Sequence, residues 1–230
     1  MTPRLLWRRV RVFAGVALAL SLVGLFFWLF AVNWRPSPRD FAVQGVDVSE
    51  TQGPINWWTA RESGIQFAYA RATMGAHGRD RRFAQYWRGL FQAGIPHGAI
   101  HVFSLCQLAA DQAGNFVSRV PASADQLPAA LELDFEPGCA ARPAREVVLG
   151  EINRFLTGVE AHLGKPMLLK MSSRFDDWYH VSAALPRPLW AAQAFFPPAD
   201  FDKPWTMWQA SSFRRIDGVT NPVNWDVKAP

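Results

Sequence analysis

The sequence predicts an α/β fold: a β/α barrel short of outer helices, preceded by one N-terminal transmembrane helix. Three observations carry this. Val12 to Val32, "VFAGVALALSLVGLFFWLFAV", is an uncharged apolar run of the length that crosses a bilayer. From residue 41 onward, short apolar strand candidates alternate with helical patterns, which marks a mainly parallel sheet. Several of these strands carry a polar residue near the C-terminal end, where a parallel barrel builds its site.

The first element is the N-terminal flank, residues 1–11, with Arg4, Arg8, Arg9 and Arg11 and no acid. Residues 12–32 read as a signal anchor. The run exceeds the about 7–15 apolar residues of a cleaved signal peptide, and it ends in the bulky "FFWLFAVNW". Cleavage, with secretion of the remainder, is the alternative. Four arginines before the run, against Arg35 and Arg39 soon after it, predict the N-terminus inside. The expectation is a single-pass protein of the inner (cytoplasmic) membrane, with a periplasmic or otherwise extracytoplasmic C-terminal domain. Residues 33–40, "NWRPSPRD", read as a linker, and 41–230 as the barrel domain.

The formal charge of +5 belongs to the membrane flank. Of 24 Lys and Arg, six lie in residues 1–39 with no Asp or Glu, leaving 18 bases against 19 acids beyond. A near-neutral domain without a basic run offers no footprint for nucleic acid. Cys106 and Cys139 each follow a predicted strand. An extracytoplasmic setting permits a disulfide between them, the reading preferred to two buried thiols. No C-x-x-C and no His pair at ligand spacing occurs, so no zinc site is expected.

Within the domain, strands are predicted at 41–49, 65–73, 97–105, 129–136, 165–172, 187–194 and 205–211. Helices are predicted at 55–64, 80–94, 108–120, 142–164 and 173–183, with Phe83, Tyr86, Trp87, Leu90 and Phe91 on one side of the second. Pro143 lies near the start of the longest helix and Gly164 at its end. Loops, not long helices, join the last strands. The polar residues at strand ends are Asp47, Arg71, His101, the acids of "LELDFE" and Gln209. In "LELDFE", Glu132, Asp134 and Glu136 alternate with apolar residues. Two acids at i and i+2 share one face of a strand, about 6.5–7 Å apart. One of such a pair can donate a proton while the other stays anionic.

An ordered series of segments, "GVDVSETQGPINW", "FAYARATMG", "AGIPHGAIHVFSL", "QLPAALELDFEPGC", "RPLWAAQAFF", "WTMWQA" and "DGVTNPVNWDV", resembles glycoside hydrolase family 25 over about residues 43–229. The resemblance implies an irregular TIM-like β/α barrel and a lysozyme-type hydrolysis of the β-1,4 bond after N-acetylmuramic acid. The implied substrate is peptidoglycan, with no metal or organic cofactor. Asp47 matches a catalytic-site Asp of the family. The family's Asp-x-Glu strand end falls on Glu132 and Asp134 without gaps, an inverted pair with Asp134 as proton donor. A slip of two residues would instead pair Asp134 with Glu136. The resemblance places His101 near the groove floor, and Trp208 beside Gln209 reads as a sugar-stacking wall or as core. Departures cluster on the groove: Met74 for a usual Glu, Lys170 and Ala210 for Tyr, and Asn224 for Asp, with Asp226 two residues on as a partial replacement. Lys170, if it points inward, would pair with Glu132 or Asp134. Arg71, Lys170, Asn224 and Asp226 join the expected substrate-binding set. The function implied is a peptidoglycan hydrolase held in the membrane through residues 12–32. The alternative is an inactive domain kept for glycan binding. Oligomeric state is left open.

Overall fold

The structure, a computed structural model, describes residues 3–230. It divides into two units, residues up to Trp34 and Arg35–Pro230. The first is a single helix, α1 (Pro3–Asn33), which absorbs the basic flank as well as the apolar run. Its stretch Arg9–Asn33 is long and apolar enough to cross a membrane.

The second unit is a closed barrel. Its strands are β1 (Gln44–Val48), β2 (Phe67–Met74), β3 (Gly78–Arg79), β4 (His97–Val102), β5 (Ala130–Leu133), β6 (Leu168–Met171), β7 (Leu189–Ala192), β8 (Met207–Arg214) and β9 (Val223–Lys228). They pair in the order β1-β9-β8-β7-β6-β5-β4-β2, and β1–β2 pairing closes the ring, with β3 attached outside to β2. From β1 through β2 and β4 to β8 every contact round the ring is parallel. β9 runs antiparallel to both of its neighbours. The sequence reading had no strand there. Val223, Trp225 and Val227 are buried apolar residues that alternate with the polar Asn224 and Asp226.

A short 3-10 turn (Glu50–Gln52) follows β1, and α2 (Trp57–Glu62), α3 (Phe83–Gln92), α4 (Ala109–Val117), α5 (Arg145–Leu163), α6 (Ser173–Tyr179) and α7 (Val181–Ala184) supply the outer layer. Among the described residues no helix joins β7, β8 and β9. The expected single helix over 173–183 is two, broken at His180, whose φ of 46° is left-handed. On α3, Phe83, Tyr86 and Leu90 are buried but Phe91 is 77% exposed. One residue turns a helix by about 100°, which carries Phe91 past the edge of the stripe. α5 buries Val148, Ile152, Phe155, Val159 and Leu163 at helical spacing, and Gly164 ends it in the left-handed conformation.

The lower barrel interior is an apolar cluster of Phe67, Tyr69, Ile100, Ala130, Leu168, Trp190 and Met207. Tyr69 leans on Trp190 with ring centres 4.9 Å apart. Its ring occupies the space a Cβ would need at Gly98, where the nearest ring atom would lie at 2.5 Å. Strand alternation then sets the next inward layer. Two residues beyond these apolar side chains come Arg71, Glu132, Lys170 and Gln209.

Candidate active site

Lys170 is the centre of the inward polar layer. It is 2% exposed. Its Nζ donates to Asp47 Oδ2 at 2.7 Å and stands 3.7 Å from Glu132 Oε2. Below it, 4.7 Å away, is the ring of Trp190. Burial pulls the ammonium toward neutrality, but the charges of Asp47, Glu132 and Asp226 more than offset this, and Lys170 titrates above its ordinary value. It is a permanent cation in the barrel. Lys170 lies in register with Glu132 on β5, which explains why the two side chains meet.

Asp47 is buried, and both of its oxygens accept hydrogen bonds, Oδ2 from Lys170 and Oδ1 from Asn224 Nδ2 at 2.9 Å. Asn224 is opposite Asp47 in the β1–β9 ladder. Asp226 does not replace the missing charge there, because it lies opposite Gly45, farther from the strand end. Fully buried, Asp226 accepts from Trp190 Nε1 at 3.2 Å through Oδ1, while Oδ2 has no donor. Burial, and then the charge of Asp47, raise its carboxyl well above the usual range, against the opposing pull of Lys170. Its protonated form is thereby favoured over its ordinary balance.

Glu132 is the most open acid of this layer, with its side chain 22% exposed. Arg71 Nη2 lies 3.7 Å from Oε1. The ladder ends at Leu133, three residues short of the expected strand, so Asp134 and Glu136 sit on the loop that follows. Asp134 is half exposed and meets Arg174 Nη2 at 3.2 Å and Ser172 Oγ at 3.3 Å. Glu136 accepts a short hydrogen bond from Ser104 Oγ. Its loop is tied to the loop after β4 by the disulfide Cys106–Cys139. Lys170 thus engages Asp47 and Glu132, not Asp134.

Two expected site residues lie elsewhere. His101 alternates with Ile100 and faces outward, stacking on Phe155 of α5 and bonding Thr73 Oγ1 and Gln112 Oε1. Burial drives its pKa down to about 4, so it is a neutral core histidine. Trp208 is 1% exposed, packs against Phe41 and Trp205, and donates to the Gln193 carbonyl. It forms no sugar wall. Gln209, its neighbour on the opposite face, is half-buried and bonds Ser212. Conversely, Arg174, Ser172 and Ser104 touch the acids and were not singled out from the sequence. Their position just past strand ends was the available signal.

A closed β/α barrel with carboxylates gathered at strand ends is the framework of a glycoside-cleaving enzyme. Residues 46–219 match the family model for glycosyl hydrolases family 25. The uncharacterized protein YegX of Escherichia coli K12 is 30% identical over 83% of this chain and 71% of its own length. Lysozyme M1 of Streptomyces globisporus is 30% identical over 79% of this chain and 66% of its own. Among solved structures, the bacterial lysozyme from Streptomyces coelicolor aligns with TM-score 0.73 and 27% identity, covering 82% of this chain and 92% of that one. A family 25 glycosyl hydrolase from Bacillus anthracis aligns with TM-score 0.79 and 25% identity, covering 86% and 93%. The chain belongs to glycosyl hydrolases family 25, and its enzymatic class is glycosidase.

Proposed function

We propose that this chain is a membrane-anchored peptidoglycan hydrolase that cuts the β-1,4 bond after N-acetylmuramic acid, outside the cytoplasm. The observation that carries this reading is the pair at the end of β5: Glu132 between two cations, and Asp134 two residues on at the open mouth. Asp134 is the general acid. Its proton passes to the glycosidic oxygen as the bond to the anomeric carbon breaks, and Glu132 and Asp47 supply the negative potential that the developing oxocarbenium centre requires. Asp134 must leave its ion pair with Arg174 to hold that proton, so substrate entry and release of Arg174 are linked events. Glu136, held by Ser104, is the reserve donor. Helix α1 supports the anchor by its length and by the uncharged apolar run 12–32 within it.

The test uses the full chain in detergent with purified peptidoglycan. Mass spectrometry is expected to find new muramic-acid reducing ends, lost in Asp134→Asn and kept in Glu136→Gln. Loss in Glu136→Gln alone would transfer the donor role to Glu136, and no cleavage by the unmodified chain would end the hydrolase reading. Retention of the chain in membranes after alkaline extraction, at its uncleaved mass, tests the anchor.

A further inference from the structure

Asp47 and Glu132 are not equally available to a substrate. Asp47 is 4% exposed with both oxygens engaged. To meet a sugar it would have to break hydrogen bonds to Lys170 and Asn224 together. Glu132 differs at each oxygen. Oε2 is buried, accepts no hydrogen bond, and faces the Lys170 ammonium at 3.7 Å. Oε1 keeps solvent-accessible surface on the Arg71 side, 3.7 Å from that guanidinium. One oxygen is held from behind and the other is presented forward.

We propose that Lys170 is a positioning residue that moves the anionic role of this site from Asp47 to Glu132. The lysine takes Asp47 as its buried partner and steadies Glu132 by the inner oxygen, so that Oε1 faces the reacting sugar. This rests on the hydrolase reading above and refines it: Glu132 is the catalytic anion, and Asp47 is the counter-ion that keeps Lys170 in place. The substitution of the groove is then coherent. A lysine inside the barrel would be untenable without a buried acid, and Asn224 fills the second oxygen of that acid without adding a charge that would compete for the lysine. The charged groups around Glu132 are Lys170 on β6, Arg71 on β2 and Asp134 after β5, with Asp47 on β1 and Asp226 on β9 acting on the lysine.

The experiment compares the full-length chain in detergent with Glu132→Gln, Asp47→Asn and the double variant Lys170→Met/Asp47→Asn, with rates expressed per folded protein. Glu132→Gln should lower kcat by about 10³-fold with glycan binding retained, the scale of losing a charge made for the transition state. Asp47→Asn, which still accepts from Lys170, should cost about tenfold or less. The double variant removes the ion pair as a unit and spares the fold from an unpaired charge. There kcat should fall about 10²-fold at unchanged KM, and the acidic limb of the kcat/KM profile should move to higher pH than in Asp47→Asn alone. A purely structural lysine would leave that limb where it was. The proposal is overturned if folded Asp47→Asn is as inactive as Glu132→Gln, or if the double variant matches Asp47→Asn in rate and pH profile. An unmodified chain that releases no muramic-acid ends would refute the hydrolase reading and this inference with it, whereas an active one confines any failure to the inference.

Discussion

The ammonium of Lys170 and a carboxylate oxygen of Asp47 lie 2.7 Å apart across the barrel interior, each side chain almost wholly out of solvent. Burying an ion pair costs desolvation on both sides, so the pair is close to neutral for stability as a unit, but removing one partner strands the other. Lys170→Met is therefore expected to lose about 3–5 kcal/mol, and Lys170→Met/Asp47→Asn to recover a large part of it. Urea unfolding followed by tryptophan fluorescence measures both. A double variant as unstable as Lys170→Met would show that the lysine acts through something other than its charge.

Asp226 yields a prediction of opposite sign to that of a carboxylate whose pKa is lowered by an ion pair. Its folded pKa is raised, so the folded state keeps a proton that the unfolded chain releases above about 3.8. Its contribution to stability consequently worsens as pH rises above that value. Asp226→Asn keeps an acceptor for Trp190 Nε1 and supplies a permanent N–H toward Asp47. The variant should therefore gain stability over the unmodified chain as pH rises from 4 toward 7, with the gain vanishing near pH 4. Thermal midpoints of both proteins from pH 4 to 8 decide this.

His101 works in the other direction. It is neutral when folded, with a pKa near 4 against an ordinary 6.5. Between those values the unfolded state binds the extra proton, so stability falls as pH falls through the window. The full loss is about 3 kcal/mol for a pKa lowered from 6.5 to about 4, most of it complete by pH 4. His101→Asn should be less stable at pH 7.5 yet show a flatter decline toward pH 4.5. An equal slope in both proteins would mean that another group dominates acid unfolding.

These three residues also show what the sequence disclosed. Helix spacing and strand alternation located the parallel strands, whereas the direction of Lys170 was open in the sequence and is given by its contact with Asp47. The error with His101 and Trp208 was one of face. Adjacent strand residues point to opposite sides, so Trp208 and Gln209 were never able to share a groove wall. The overlong strand at "LELDFE" had a different cause. Alternation of side chains continues past Leu133, but the β4 pairing ends at Glu132 and the β6 pairing at Leu133, and ladder length depends on partners distant in sequence. The contact of Arg174 with Asp134 spans 40 positions and left no local trace.

The disulfide supplies a stability prediction independent of the charges. Cys106 and Cys139 are 33 positions apart, and a cross-link of that span is worth about 3–4 kcal/mol in the chain-entropy model. Cys106→Ser/Cys139→Ser should lose an amount of that order in urea, and so should the unmodified chain under reducing conditions. Because Asp134 lies inside the closed loop, the reduced protein should also lose turnover at temperatures where it remains folded. Unchanged turnover in the folded, reduced chain would separate the loop from the chemistry.

The antiparallel β9 joins two tasks in one strand. β9 completes the ring by bridging β1 and β8, and it brings Asn224 to Asp47 across 177 positions of sequence. Without residues 223–228, β1 and β8 would each leave one edge unpaired, and Asp47 would lose the Asn224 that fills its second oxygen. The strand that seals the barrel is thus also the one that completes the polar contacts of Asp47.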